Sequence, residues 1–212
     1  MTAPLAPGSA PHAGVIRCQR VVVLLAAGAG SRFHGDVHKL SAIFHRSDDG
    51  ADPTVIERSL ASALAADIGP VVVITGAVAD VVPAHLAGLV TVRHNERWHE
   101  GQITSLHAGI DAARSLGATT VVVGLADQPF IDPSGWRSVA EADGPIVVAT
   151  YDGRRANPVK LDAEVWDLLP DTGDEGARAL MRVRPELVRE VACSGSPADI
   201  DTTEDLRRWQ NN

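Results

Sequence analysis

The stretch VVVLLAAGAGSRFHGDVHKL, residues 21–40, joins five consecutive aliphatic residues to a loop of small residues and then to two cations, Arg32 and Lys39. An uninterrupted aliphatic run is typical of a strand that is buried on both faces of a sheet. The loop after it consists of Ala26, Ala27, Gly28, Ala29, Gly30 and Ser31. Backbone N–H groups at the start of a helix bind phosphate, so a small-residue loop that opens a helix predicts a phosphate site here.

Aliphatic runs recur along the chain and alternate with segments of helical spacing. The runs lie at residues 71–75, 89–93, 120–125, 146–150 and, more weakly, 188–192. Helical spacing occurs at residues 55–66, 78–86, 103–116, 133–142, 163–169, 175–182 and 204–209. This alternation predicts the α/β class, as a three-layer α/β/α sandwich around a mainly parallel, mixed sheet.

The chain reads as one domain, residues 20–212, because no internal repeat or second core divides it. The polar segment 46–53 is expected to be an exposed loop inserted after the first helix. Residues 1–19 are rich in Pro, Ala and Gly and lack the features of a signal peptide, so they are expected to form a disordered leader.

Composition excludes several classes of function. A net charge of −8 argues against a general nucleic-acid binder, which needs a basic face. No aliphatic run approaches the roughly 18–20 residues that cross a bilayer. Cys18 and Cys193 are far apart without metal-type spacing, and the eight histidines show no zinc-binding pattern. Two free thiols favour the cytoplasm.

The glycine loop has several interpretations. A dinucleotide-binding fingerprint requires a third glycine at the position of Phe33, and a Walker-type P-loop requires Ser or Thr at the position of Leu40. Both patterns therefore fit poorly. An ordinary strand-to-helix turn with solvated cations is another interpretation. The third phosphate-binding pattern, after the dinucleotide fingerprint and the P-loop, has an Arg two residues after the last glycine and a Lys further on.

This third pattern resembles the LAAGxGxRF and KL signature of the MobA-like NTP transferase family. Five further motifs resemble the same family and extend the likeness from residue 21 to residue 206. They are NERWHEGQITSLHAGI (95–110), LADQPFI (125–131), RRANPVKL (154–161), TGDEGARALM (172–181) and DIDTTEDL (199–206). The resemblance implies a Rossmann-like nucleotidyltransferase fold.

The resemblance also implies roles for individual residues. Arg32, Lys39 and Asp127 are the expected catalytic residues, the two cations on the triphosphate and Asp127 on Mg²⁺ together with Asp201. The nucleotide is expected to contact the glycine loop and also Gly101, Gln102 and Ser105. For Ser105, capping of a helix start is the alternative role. The acceptor is expected to contact Asn157, Pro158, Asp174 and Arg178.

Within the family, LAAG at residues 25–28 and ADQP at residues 126–129 look more like the cytidylyltransferases that act on molybdenum cofactor. The implied reaction is attack of the terminal phosphate of a pterin-type acceptor on the α-phosphorus of CTP, with release of pyrophosphate. Ala156, Lys160 and Glu175 depart from the family pattern. They leave open another acceptor, such as phospholactate or a sugar phosphate. A non-catalytic accessory protein that delivers the cofactor to a molybdenum hydroxylase is a further alternative.

Overall fold

The strands form where aliphatic residues run without interruption, and they build one seven-stranded sheet. In this computed structural model, which describes residues 19–44 and 52–210, the sheet has the order β3-β2-β1-β4-β6-β5-β7. Only β6 runs antiparallel to its neighbours β4 and β5. The strands are β1 (Arg20–Ala26), β2 (Val71–Thr75), β3 (Thr91–His94), β4 (Thr120–Leu125), β5 (Ile146–Tyr151), β6 (Arg154–Asp162) and β7 (Val188–Ala192).

Six α-helices within the described ranges cover the two faces of the sheet. Alternate strand residues face opposite layers. Val22 and Leu24 pack in one core with α1, α3 and α6, whereas Val21 and Val23 pack in the other with α2, α4 and α5. The predicted three-layer α/β/α sandwich with a mixed sheet is therefore confirmed. The helices are α1 (Val55–Ala65), α2 (Gln102–Ser115), α3 (Pro133–Glu141), α4 (Ala163–Trp166), α5 (Arg178–Val183) and α6 (Thr203–Gln210).

The described residues 31–44, which follow the glycine loop, contain no α-helix, and this corrects the sequence-based expectation. Gly30 adopts a left-handed conformation with φ 63°, and the chain then continues through turns to a short 3₁₀ helix at Lys39–Ser41. A left-handed residue interrupts a right-handed helix. Any phosphate held by this loop therefore depends on loop N–H groups and side-chain cations, not on a helix dipole.

Two other predicted elements differ from the structure. The helix expected at residues 78–86 is reduced to the 3₁₀ turn Ala84–Leu86, because Pro83 lacks an N–H and its ring obstructs the preceding helical turn. Strand β3 is exposed at all four residues, since it lies at the edge of the sheet.

Some predictions lie outside the described residues. The first is the leader, of which Gln19 is described but Cys18 is not. The second is most of the polar segment 46–53, which precedes α1 in the sequence. Within the described ranges, no helix is both long and apolar enough to cross a membrane.

At the carboxyl ends of the neighbouring strands β1 and β4, the chain connections run to opposite sides of the sheet. These two strands are parallel neighbours, and the chain leaves β1 toward β2 but leaves β4 toward β5, on the other side. Ligands of open α/β sheets bind in the crevice at such a switch point. The glycine loop follows β1 at this point, and Asp127 follows β4.

Helix α2 packs on β1 through Gly109, and this close approach is testable. A Cβ at Gly109 would overlap the fully buried Val23 side chain, whereas a Cβ at Gly88 would meet nothing within 4 Å. We expect Gly109→Ala to lower the free energy of unfolding by about 1 kcal/mol, because overpacking outweighs the better helix propensity of alanine. Gly88→Ala should change it by less than about 0.5 kcal/mol in the same urea titration. Equal stability of the two variants would contradict the close packing.

Candidate active site

The His38 side chain anchors the glycine loop through a hydrogen bond to the Gly28 carbonyl. The Nδ1 atom of His38 accepts the N–H of Leu40 at 3.3 Å, so the ring proton is on Nε2, which donates to the Gly28 carbonyl at 3.2 Å. Partial burial is the main cause that lowers the pKa of His38, and Lys39 adds to it. The neutral ring therefore ties the loop to the 3₁₀ helix that carries Lys39.

Two cations and two carboxylates meet beside this loop. The Lys39 ammonium lies 2.6 Å from Oδ2 of Asp127 and 3.2 Å from Oδ1 of Asp201. Arg32 reaches the other oxygen of Asp201 at 2.9 Å. Burial by itself lowers the pKa of Lys39, but the two carboxylates outweigh it, and the pKa lies above its ordinary value. The structure thus brings together all four charged residues that the sequence predicted for the phosphates and the metal.

Main-chain contacts set the spacing of the two carboxylates. The N–H of Ile200 donates to the carbonyl of Asp127 at 2.9 Å, and the Ile200 side chain is fully buried. The segment before Ile200 also runs along the loop after β4, through a Ser196 N–H bond to Phe130 and a bridge between Gly195 and Ile131. Asp201 therefore lies next to Asp127 although 74 residues separate them in the sequence.

Helix α6 secures this C-terminal segment. Trp209 stacks on Phe130 with ring centroids 3.9 Å apart, and Gln210 donates to the Ile43 carbonyl at 2.9 Å. At the start of α6, the Asp205 carboxylate accepts the N–H of Thr202 at 2.9 Å and that of Asp201 at 3.3 Å. Hydrogen bonds from Thr202 lower the pKa of Asp205. Asp205 thus orients the main chain at Asp201.

A first cleft opens from the glycine loop toward the start of α2. Ala27, Gly28, Ala29, Gly101, Gln102, Ser105 and Asp127 line it, with Trp98 and Asp174. Gly101 adopts φ 115°, and a Cβ there would lie 2.5 Å from the Gly173 carbonyl oxygen, so the two loops approach as only glycine allows. Asp174, predicted as an acceptor contact, lies in this first cleft.

Ser105 does not cap a helix, which removes its alternative role. Helix α2 begins at Gln102, so Ser105 is one turn inside it, and its buried hydroxyl accepts the amide of Asn95 at 2.9 Å. The same Asn95 amide donates to Thr104. Asn95 is thus a positioning residue that sequence reasoning missed, although it begins the 95–110 motif.

A second cleft lies between α2 and α5, and it shares Leu25, Gln102 and Leu125 with the first. Its floor is aliphatic, and its rim is polar and contains the predicted acceptor residues Asn157 and Arg178. Each cleft has a volume of about 350 Å³, within the range of small-molecule sites. The main-chain N–H of Arg178 donates to the Glu175 carbonyl at 3.0 Å, but its guanidinium makes no hydrogen bond or ion pair with another described residue. The guanidinium is therefore available to a ligand at the rim of this cleft.

Other residues of the predicted acceptor motifs have different environments. Pro158 is buried after a cis peptide bond and does not line the second cleft. Lys160 is also buried and donates to the Ala142 carbonyl at 2.6 Å, at the end of α3. Its ammonium therefore contacts the helical layer on the opposite side of the sheet from the second cleft. Glu175 lines the cleft and holds Arg182 through two bonds of 2.7 and 2.6 Å. Of the three departures from the family pattern, Ala156 and Glu175 line the second cleft, whereas Lys160 does not.

The carboxylates fit a hard divalent cation. Asp127 Oδ1 is buried without a hydrogen-bond partner among the described residues, while Oδ2 faces the same point as Asp201. Oxygen ligands from one or two carboxylates suit Mg²⁺, which keeps several waters. Asp199 adds negative charge nearby, and its pKa is raised first by partial desolvation and then by Asp127 and Asp201. No cluster of three or more such ligands occurs in the described ranges.

Taken together, the switch-point position, the paired charges and two adjoining clefts define a nucleotidyltransferase with a Rossmann-like fold. The model of the MobA-like NTP transferase domain matches residues 22–191, and the chain belongs to that family. The resemblance noted in the sequence is confirmed.

Known proteins of similar sequence and structure agree with this family. Nicotine blue oxidoreductase of Paenarthrobacter nicotinovorans is 32% identical over 201 residues, which are 88% of this chain and 94% of that protein. A nucleotidyl transferase from Methanothermobacter thermautotroptrophicus is 25% identical with a TM-score of 0.76, over 91% of this chain and 96% of its own. Rv0371c from Mycobacterium tuberculosis H37Rv, in a complex with manganese, is 26% identical with a TM-score of 0.70, over 92% and 99%.

The role of Asp205 is testable by stability. Asp205→Ala removes the acceptor for the N–H groups at the start of α6, and we expect a loss of about 1 kcal/mol in the free energy of unfolding. Glu204→Ala, which changes an exposed carboxylate one residue earlier, is the control and should be close to wild type. Chemical denaturation measures both. Equal losses would show that charge near the helix start, not the cap, is responsible.

Proposed function

We propose that the protein transfers CMP from CTP to the terminal phosphate of a molybdopterin-type acceptor, with Mg²⁺ as its cofactor. The observation that carries this proposal is the meeting of Arg32, Lys39 and Asp201 with Asp127, which lines the first of two clefts that adjoin at Leu25, Gln102 and Leu125. A transferase needs two substrate sites that share one reaction centre, and this arrangement supplies them.

Charge neutralisation and positioning support the chemistry. The acceptor phosphate is ionised at neutral pH, so the attack requires alignment and relief of charge repulsion more than a strong base. Arg32 and Lys39 are the cations nearest the glycine loop, and Asp127 with Asp201 would hold Mg²⁺ against the phosphates. When bound, the metal would polarise the α-phosphoryl group. The manganese complex of Rv0371c supports a divalent cation in a related protein.

The floor of the first cleft supports a small base. Ala27 and Trp98 line this cleft and pack tightly against Gly76, since a Cβ there would lie 2.7 Å from the Ala27 methyl and 2.6 Å from Cβ of Trp98. Ala27 stands where a glycine would leave more room, and the narrower floor favours a pyrimidine over a purine. CTP is therefore the proposed donor.

The second cleft supports an acceptor with a flat or apolar body and an anionic end. Its floor of Val123, Val148 and Val159 offers few hydrogen bonds to the hydroxyls of a sugar, and hydroxyls buried without partners are costly. Arg178 on the rim can bind the terminal phosphate in a bidentate manner. This favours a pterin-type acceptor over a sugar phosphate.

The relative named nicotine blue oxidoreductase raises hydride transfer as a second candidate. A dinucleotide fold needs a helix that opens at the glycine loop, with a small residue at its third glycine. Here Gly30 is followed by turns, and Phe33 occupies that third position. The loop of this chain therefore favours the transferase.

We expect CTP with Mg²⁺ to raise the melting temperature more than ATP, GTP, UTP or NADPH, because the correct ligand stabilises the folded state. With molybdopterin present, the protein should release pyrophosphate from CTP.

Asp127→Asn should reduce this release of pyrophosphate at least about 100-fold, since it removes a charge at the reaction centre. Asp111→Asn, an exposed carboxylate on α2, is the control and should retain activity.

Other outcomes of the same panel would contradict the proposal. A clear preference for GTP would overturn the CTP assignment, and stabilisation by NADPH alone would favour the oxidoreductase. Pyrophosphate release with phospholactate or a sugar phosphate, but not with molybdopterin, would change the acceptor. Tight binding of the pterin without CTP binding or turnover would identify an accessory protein.

The acceptor site is tested through Arg178. We expect Arg178→Ala to raise the KM of the acceptor about 10- to 100-fold, because a hydrogen bond to a charged group contributes about 1.5–3 kcal/mol. The KM of CTP should not change. Arg189→Ala, on the outer strand β7, is the control. An effect on the KM of CTP instead would place Arg178 at the nucleotide.

A further inference from the structure

The chain contains only two lysines, and both are buried. Lys39 is 8% exposed and Lys160 is 6% exposed. Lys160 has a structural explanation, since its ammonium donates to the Ala142 carbonyl at the end of α3. Lys39 differs, because its ammonium lies between the two carboxylates of the candidate metal site.

The Lys39 ammonium occupies the position between the two carboxylates where a metal ion would bind. It is 2.6 Å from Oδ2 of Asp127 and 3.2 Å from Oδ1 of Asp201, and Mg²⁺ binds oxygen at about 2.0–2.1 Å. A cation bound by both of these oxygens would lie almost on the ammonium. Two positive charges at such a separation repel strongly in a partly buried site, so they exclude each other.

The side chain of Lys39 also has a short path to the glycine loop. Its Cγ lies beside Gly30, within 3.3 Å of the position that a Cβ would take there. The aliphatic part of the side chain therefore already runs along the loop. Rotation of the last carbons alone would move the ammonium from the carboxylates toward phosphates held at the loop, as the flexible stem of lysine allows.

We propose that Lys39 is an exchangeable cation that holds the metal site in the free protein and moves to the nucleotide phosphates when the metal enters. This inference rests on the proposed function. It makes metal and nucleotide binding cooperative, because each ligand favours the position of Lys39 that admits the other. It also explains how two carboxylates stay close together before any metal is present.

One substitution should then change two affinities in opposite directions. Lys39→Met keeps the aliphatic stem but removes the charge. Without nucleotide, we expect its Kd for Mn²⁺ to fall about tenfold, which corresponds to a site that lysine fills about nine-tenths of the time. Its Kd for CTP in EDTA should rise about tenfold or more, because a charge-assisted contact to phosphate is lost. Electron paramagnetic resonance measures Mn²⁺, and calorimetry measures CTP.

Lys160→Met is the matched control, as the other buried lysine lies outside the site, and both affinities should match wild type. Asp127→Asn should remove the Mn²⁺ signal that belongs to the site. If Lys39→Met weakens both ligands, Lys39 is a structural ion pair and the exchange is wrong. If Lys39→Met leaves the Mn²⁺ affinity unchanged, the proposed exchange is also wrong. Wild-type protein that binds neither CTP nor Mn²⁺ would instead overturn the proposed function.

A second measurement does not need the Lys39 variant to fold. Wild-type protein with ¹³C,¹⁵N-labelled lysine shows only two sets of side-chain signals, and Lys160→Met assigns them. Addition of Mg²⁺, or of CTP in EDTA, should shift the ε-CH₂ signal of Lys39 and leave that of Lys160 in place. If both ligands bind and the Lys39 signal does not move, the exchange does not occur.

Discussion

The site depends on the attraction between the Lys39 ammonium and the carboxylates of Asp127 and Asp201. These residues come from three segments that follow β1, follow β4 and precede α6. Like charges on the two aspartates would repel in a partly buried crevice without a cation between them. The ion pairs therefore hold three distant parts of the chain together, and they do so at the edge of the sheet where ligands of α/β folds bind.

The surrounding structure makes this charge cluster specific. The Ile200 N–H to Asp127 carbonyl bond and the Trp209–Phe130 stack fix the C-terminal segment, and His38 ties the glycine loop to Lys39. These supports are a main-chain bond, a stack of two partly buried rings and a histidine bond, and none of them involves the charged atoms of Lys39, Asp127 or Asp201. The proposed exchange of Lys39 between the carboxylates and the phosphates would therefore leave them in place.

The two clefts divide recognition between different surfaces. The first cleft is shaped by a close backbone approach at Gly101, where a side chain would collide with neighbouring atoms. The second cleft has a floor of aliphatic strand residues and charged residues at its rim. Under the proposed function, shape would select the donor, whereas apolar contact and the guanidinium of Arg178 would select the acceptor. Glu175, which departs from the family pattern, belongs to the second surface.

The sequence by itself determined six of the seven strands, the three-layer arrangement and the motifs that carry charge, because aliphatic runs, loop glycines and carboxylates are local features. Strand β6 begins with polar residues and has no such run. It mispredicted the helix after the glycine loop and the one at 78–86, where the left-handed Gly30 and the ring of Pro83 outweigh hydrophobic spacing. Only the tertiary structure decided that Lys39 pairs with Asp127 and Asp201, that Asn95 orients Ser105, and that Lys160 faces away from the acceptor cleft. The physical reason is that these contacts join residues from different elements, and local spacing carries no information about which distant side chains meet.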